Sequence, residues 1–473
     1  MRALWAAALA AGAACGGAAG ARAPGGGSGG SAGGAVAVAW RAAGAAPGVI
    51  AGGLFVRGAD GRLAELDPRD GRTRRAIRAP GLEILEGLSS RELLVARGAG
   101  PWLVGMGAVD GAERWRWRCA NAETACEVVG GRAGGALLVL GEIEYRAPAW
   151  AIGLVGLDAA TGRERWRRPT GWIDRAGTAI AVDGARAFVL GPDRVLAYDR
   201  DGRWLWERAR AVGAAMEGAA LAVGGGRVAF ADAGGVRIVE GAGGRDVALL
   251  AGAGAAAVVL AGDLLVTGGE DGVVAAFDAA TGRARWRARP ADRLVPPILA
   301  DERTVYVRTA HAGEPVGDRE AAGVVALARG SGAERWRYPL GVNRSIALAG
   351  GWLVADQAAD GAPEIVALAA GAAPPGRAAI RGTVRAAAGL PPLELGGLRV
   401  RIGDAVVETD AGGGFAAAIP AVGVATIVLL DRPRSVSPGP ACLGARPVRL
   451  RADLPTTHHV NIVISSVSPC PPV

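Results

Sequence analysis

The stretch "FDAATGRARWRARP", residues 277–290, is written again almost unchanged as "LDAATGRERWRRP" at 157–169. Each copy closes an apolar run with Asp, turns through Thr-Gly, and then sets one Trp among arginines. Aligned on that Gly and on the Trp four residues later, the chain forms a ladder. Its rungs are Arg75, Trp115, Trp166, Trp206, Ala248, Trp286 and Trp336, spaced by 40, 51, 40, 42, 38 and 50 residues. An eighth copy starts with "EIVALAAG" at 364–371 and stops without a Trp. Nothing constrains the fold more than this period, because each unit is one supersecondary motif that must bury its faces against its neighbours.

Within a unit, apolar residues alternate over short runs separated by Gly and Asp. After Trp166 come "AGTAIAVDG" (176–184), "ARAFVLGP" (185–192), "RVLAYD" (194–199) and, past an Asp-Gly turn, "RWLWERA" (203–209). Four short strands joined by hairpin signals and repeated every ~40–45 residues predict the blades of a β-propeller. The last copy lacks a fourth strand, while "GGAVAVAW" (33–40) is a strand without a blade. The two ends are therefore expected to share the last blade and close the ring, leaving no exposed sheet edge between them. The expectation is an all-β, eight-bladed β-propeller, or seven blades if 364–377 does not pair.

These residues resemble the tryptophan-docking repeats of the quinoprotein-dehydrogenase-like (PQQ-like) propellers. In that family a small residue, a Gly six later and a Trp four after that clasp one blade to the next. The triplets are Ala276, Gly282, Trp286; Ala326, Gly332, Trp336; Gly156, Gly162, Trp166; and Gly105, Gly111, Trp115, with Ala197, Gly202, Trp206 one residue shorter. Only small side chains let an indole approach a peptide plane, and its buried N–H needs an acceptor. The resemblance thus makes Trp115, Trp166, Trp206, Trp286 and Trp336 structural, and it accounts for 13 Trp against 5 Phe and 4 Tyr. Arg75 and Ala248 depart from the pattern, so their seams should be packed differently.

Past "AAGAAPPGRAA" the texture changes to alternating β without a docking triplet. Gly382-Thr383-Val384, Thr409-Asp410 before Gly412 to Gly414 and Phe415, and Pro420 and Gly423 before "VATIVLL" resemble a carboxypeptidase regulatory-like module. That family implies a small transthyretin-like β-sandwich, non-catalytic in most contexts. "VNIVISSV" should be its last strand, with Cys442 and Cys470 paired beside it.

At the other end, Met1-Arg2 precedes a short apolar run to Ala14, and Cys15 follows "AGAA". This resembles a bacterial lipoprotein signal, which would lipidate Cys15; Gly12 departs from the usual Leu. Cleavage after Ala21 is the rival. Five Cys are odd for an exported chain; with Cys15 set aside, Cys119 with Cys126 and Cys442 with Cys470 make two local pairs suited to an oxidising compartment. The expected organisation is a signal at 1–15, a Gly/Ser tether at 16–34, the propeller at 35–371, a linker at 372–379 and the sandwich at 380–473.

The net charge of +8 comes from Arg alone and is spread along the chain, so it does not outline a nucleic-acid site. No nucleic-acid partner is expected, and the chain should be a monomer held to the membrane by its lipid only.

Enzymatic members of the propeller family bind pyrroloquinoline quinone and Ca²⁺. No adjacent Cys pair and no matching ligand set stands in the sequence, so no cofactor, metal or catalytic residue is assigned. The three His are His311, His458 and His459, and a tandem pair on a strand points its rings to opposite faces. Connections from the fourth strand of one blade to the first of the next carry Trp172 and, at matching places, Asp174-Arg175, Asp292-Arg293 and Asn343-Arg344. They could be solvated loops, or a ring of paired charges that binds a protein or glycan. The expected role is a non-catalytic cell-envelope scaffold like the BamB-like assembly lipoproteins, outer-membrane-anchored. A periplasmic quinone-dependent dehydrogenase and a polysaccharide-binding adhesion protein are the alternatives.

Overall fold

The computed structural model describes residues 36–50, 53–58, 62–77, 83–84, 93–97, 102–118, 126–134, 137–146, 149–171, 179–184, 186–211, 220–254, 256–310, 321–343, 345–349, 351–359, 362–370, 377–387, 390, 393–403, 405–420, 424–431, 441–445, 448–451 and 457–469. Every regular element among them is a strand.

The strands Ala179–Val182, Arg186–Leu190, Arg194–Asp199 and Trp204–Ala209 pair in sequence order as one antiparallel sheet. Five more sheets repeat this meander. They run from Ala45–Ile50 to Thr73–Ile77, Glu83–Ile84 to Glu113–Arg118, Cys126–Gly134 to Glu164–Pro169, Leu221–Gly224 to Asp246–Ala251, and Ala257–Ala261 to Ala284–Ala288. The strands from Arg293–Ala300 to Glu334–Asn343 form the same meander. They share an eight-stranded sheet with Ile346–Ala349, Trp352–Ala359, Ala362–Ala370 and Val36–Ala43, through the pair Val342 and Ala358. The strand from the start of the chain lies antiparallel to Ala362–Ala370, with Trp40 opposite Ala367. It fills the place the last copy leaves open.

First strands of successive sets lie side by side, from Cys126–Gly134 through Ala179–Val182, Leu221–Gly224, Ala257–Ala261 and Arg293–Ala300 to Ile346–Ala349, and on to Ala45–Ile50. This radial order is that of a β-propeller. Its core is divided among the seams. Leu154 and Trp166 of one set pack with Val189 and Leu196 of the next, and Phe188 and Trp206 with Val228 and Phe230 of the one after.

The repeated "DAATGRxRW" is explained by register. Gly156 faces Trp166 but Leu157 faces Glu164, so Arg165 is an extra residue, a β-bulge. The same bulge falls at Arg74, Arg114, Arg285 and Arg335 in their sets. A bulged side chain is re-aimed, and Arg74, Arg114, Arg165 and Arg285 all return to an Asp of their own turn: Asp67, Asp110, Asp158 and Asp278. Asp278 Oδ1 also accepts the backbone N–H groups of Ala280 and Thr281 at 3.1 and 2.9 Å and the Thr281 hydroxyl at 2.9 Å. Aspartate therefore serves as both turn former and anchor for the bulge.

The tail forms two four-stranded sheets. One is ordered Gly414–Pro420, Arg377–Ala386, Thr457–Pro469, Ala441–Ala445; the other Ala405–Glu408, Arg399–Ile402, Val424–Leu429, Val448–Arg451. Both bury alternate residues in one core that includes Ile380, Val384, Val400, Ile402, Phe415, Ile427 and Ile462.

Candidate functional site

Each described Trp of the repeat lies between two blades. The Trp115 indole rests on Gly105 of its own sheet and on Gly162 in the turn of the next, and its Nε1–H donates to Ala159 O at 3.0 Å. Gly162 has φ +67°, and a methyl group there would overlap the ring, so the turn and the close approach both require Gly. Trp166 donates to Arg200 O (3.1 Å), Trp206 to Gly241 O (3.0 Å) and Trp286 to Arg329 O (2.7 Å), each under the Gly of the following turn, Gly202, Gly244 or Gly332. Trp336 packs with Ile346, Leu353 and Val366 of the last set.

The departures follow the same geometry. At the Ala248 seam, Gly282 sits on the Ala248 methyl and Leu250. Arg75 forms an ion pair with Glu65, which stands where the small residue would be, at 2.5 Å, and Gly111 of the next turn packs on Ile77. Sequence reasoning missed the fastener at the chain ends. Trp40 donates to Pro68 O at 2.9 Å beneath Gly71. It also missed a second clasp: Arg168 and Arg208, two residues past their Trp, donate to Gly202 O (2.7 Å) and Gly244 O (2.5 Å).

The connections between blades were the expected ligand face. Trp172, Asp174, Arg175 and Arg344 lie outside the described residues, as do Cys15, Cys119 and Cys470. Cys126 opens the strand Cys126–Gly134 and Cys442 lies in Ala441–Ala445. Asp292 is exposed, and Arg293, half-buried, begins its strand. The expectation for Asn343 is corrected: it is fully buried and cannot meet a partner from solution. Its Oδ1 accepts Arg308 Nε at 2.7 Å, its carbonyl accepts Arg308 Nη2 at 2.7 Å, and its Nδ2 donates to Asp356 Oδ1 at 2.9 Å. A buried guanidinium must have its donors met, and Asn343 meets two of them. Burial pushes the Arg308 pKa down to about 10, so it remains charged at neutral pH.

Asp356 also accepts the Ser345 N–H at 2.8 Å, fixing the connection between two blades. Asp232 does the same elsewhere, accepting Ala211 N–H at 2.9 Å and Arg237 Nε at 2.6 Å. Both stand on the second strand of their blade after Ala, as "FAD" and "VAD". That shared tripeptide is the signal that could have revealed them. Among the described residues no three His, Cys, Asp or Glu side chains converge to hold a metal ion, and Asn343, Arg308 and Asp356 serve one another.

Residues 151–251 and 247–339 match one family model. It describes the outer membrane protein assembly factor BamB. The BamB matches cover the part of the propeller fastened by Trp166, Trp206, Trp286 and Trp336. Among solved structures, BamB from Moraxella catarrhalis superposes with a TM-score of 0.50 at 16% identity, over 70% of this chain and 99% of that one. The quinohemoprotein alcohol dehydrogenase ADHIIG from Pseudomonas putida HK5 gives 0.51 at 12% identity, over 72% and 78%. At these identities BamB and the dehydrogenase alike speak for the fold alone. No curated protein matches the chain.

Proposed function

We propose that the chain is a non-catalytic cell-envelope scaffold: an eight-bladed propeller, lipid-anchored through Cys15, that binds an envelope protein in outer-membrane assembly. The observation that carries this reading is the BamB match over the Trp-fastened blades. The geometry supports it, because the repeated Trp side chains fasten neighbouring blades and the repeated Asp and Arg side chains anchor their own turns. Binding falls to the connections between blades, where Asp174, Arg175, Asp292, Arg293 and Arg344 supply charge and Trp172 an aromatic face.

The test is cross-linking of the tagged full chain in the envelope of the cell that makes it, followed by identification of the captured proteins. The reading expects outer-membrane assembly proteins, lost when Arg175, Arg293 and Arg344 are replaced together, with an unchanged melting temperature. Dye reduction by protein reconstituted with quinone and Ca²⁺, or capture indifferent to the three arginines, would contradict it.

A further inference from the structure

A cleft with both polar and apolar lining lies on the tail sandwich. It has a volume of about 520 Å³, within the ~300–1,000 Å³ typical of small-molecule sites. It runs across the outer face of the sheet built from Gly414–Pro420, Arg377–Ala386 and Thr457–Pro469. Register sets two rows of side chains there. Gly414, Thr383 and Asn461 stand opposite one another, and beside them Ala416, Arg381 and His459. The small residues of the first strand leave a flat apolar floor; the larger polar ones make a wall.

The wall is rich in unused donors. Arg381 and His459 are exposed and make no hydrogen bond or ion pair among the described residues. The Thr383 hydroxyl donates to Asn461 Oδ1 at 2.8 Å, which fixes the Asn461 amide and leaves its Nδ2 without a partner among the described residues at the edge of the cleft. The opposite end supplies acceptors. Glu408 closes a strand of the other sheet, and Asp410 uses Oδ1 for the N–H groups of Gly412 (2.9 Å) and Gly414 (2.8 Å), leaving Oδ2 over the floor.

This distribution selects a ligand class. An anion drawn to Arg381 would meet two carboxylates, and a cation drawn to those carboxylates would meet Arg381. A pyranose has an apolar C–H face for the Gly414 and Ala416 floor, and its hydroxyls both donate and accept. We propose that the tail sandwich carries a binding site for a neutral saccharide unit of a polysaccharide, held by Arg381, His459 and Asn461 on one side and by Glu408 and Asp410 on the other. The site does not depend on the role of the propeller, so either reading can fail alone.

The experiment is calorimetric titration of the full chain with maltohexaose, cellohexaose, laminarihexaose and chitohexaose, with inorganic phosphate as the anionic comparison. Binding of at least one hexasaccharide is expected, weakened tenfold or more in Arg381→Ala and in Asn461→Ala at unchanged melting temperature. Arg381→Lys keeps the charge but not the fork of donors, and should fall between. Failure of all four sugars to bind overturns the proposal. So does binding unaffected by both alanine variants, or displacement of the sugar by phosphate at equal concentration.

Discussion

The indole N–H of Trp40 donates to the carbonyl of Pro68 at 2.9 Å, so a strand from the start of the chain is fastened to the turn of the first complete blade. Trp40 belongs to the last blade through its pairing with Ala367. One side chain therefore joins both ends of the propeller and closes its seam. Trp40→Ala should cost about 3–5 kcal/mol, as other buried Trp truncations do. Trp40→Phe should cost less, since it keeps most of the packing and loses the hydrogen bond. Urea unfolding of the two variants checks the order.

Gly162 and Gly171 separate strain from overlap. Both have positive φ, +67° and +77°, but only Gly162 faces an indole; a methyl group at Gly171 meets open space. Gly171→Ala should cost ~1 kcal/mol of backbone strain. Gly162→Ala should cost a further ~1–3 kcal/mol by overpacking the Trp115 seam. Equal melting temperatures for the two variants would count against the close approach at Trp115.

The turn aspartates set a pH dependence. Hydrogen bonds from Arg285, then from Thr281, hold the Asp278 carboxyl at about 2, below its ordinary 3.8. A depressed folded-state pKa stabilises the fold above about 3.8 and loses that contribution as pH falls through 2. NMR titration of the Asp278 carboxyl should show the low midpoint, rising toward the ordinary value in Arg285→Ala.

Asn343 supports a different prediction. Asn343→Ala would leave Arg308 Nε buried without its acceptor, while the backbone carbonyl of residue 343 still accepts Nη2, so a loss of about 1–3 kcal/mol is expected. In the Arg308→Met background the same substitution should cost far less, since no guanidinium then needs the amide. A double-mutant cycle measures the difference.

Much of this architecture is legible in the sequence because its chemistry is local. Asp158, Gly162 and Trp166 recur at fixed offsets, so the turn, the bulged hairpin and the docking ring are read together. The strand "RVLAYD" falls at Arg194–Asp199 as expected. The place of the Trp40 strand in the last blade is legible, and its pairing with Ala362–Ala370 bears that out; the docking of Trp40 under Gly71 is not, because the ring and its partners Ala367 and Gly71 share no window of sequence. Asn343 was misread for a related reason. Beside Arg344 it looks like the other charged connections, and only the arrival of Arg308 and Asp356 from two other strands buries it. The bulge arginines stand in plain view, yet their direction depends on a register shift that composition does not encode.

Hydrogen exchange at the Trp indoles, followed by NMR on indole-labelled protein, tests the seam account most directly. Nε1–H of Trp40, Trp115, Trp166, Trp206 and Trp286 should exchange only with global unfolding, whereas Trp204, 61% exposed on an outer strand, should exchange at once. Rapid exchange of the five seam indoles in the folded protein, at the rate of Trp204, would contradict it.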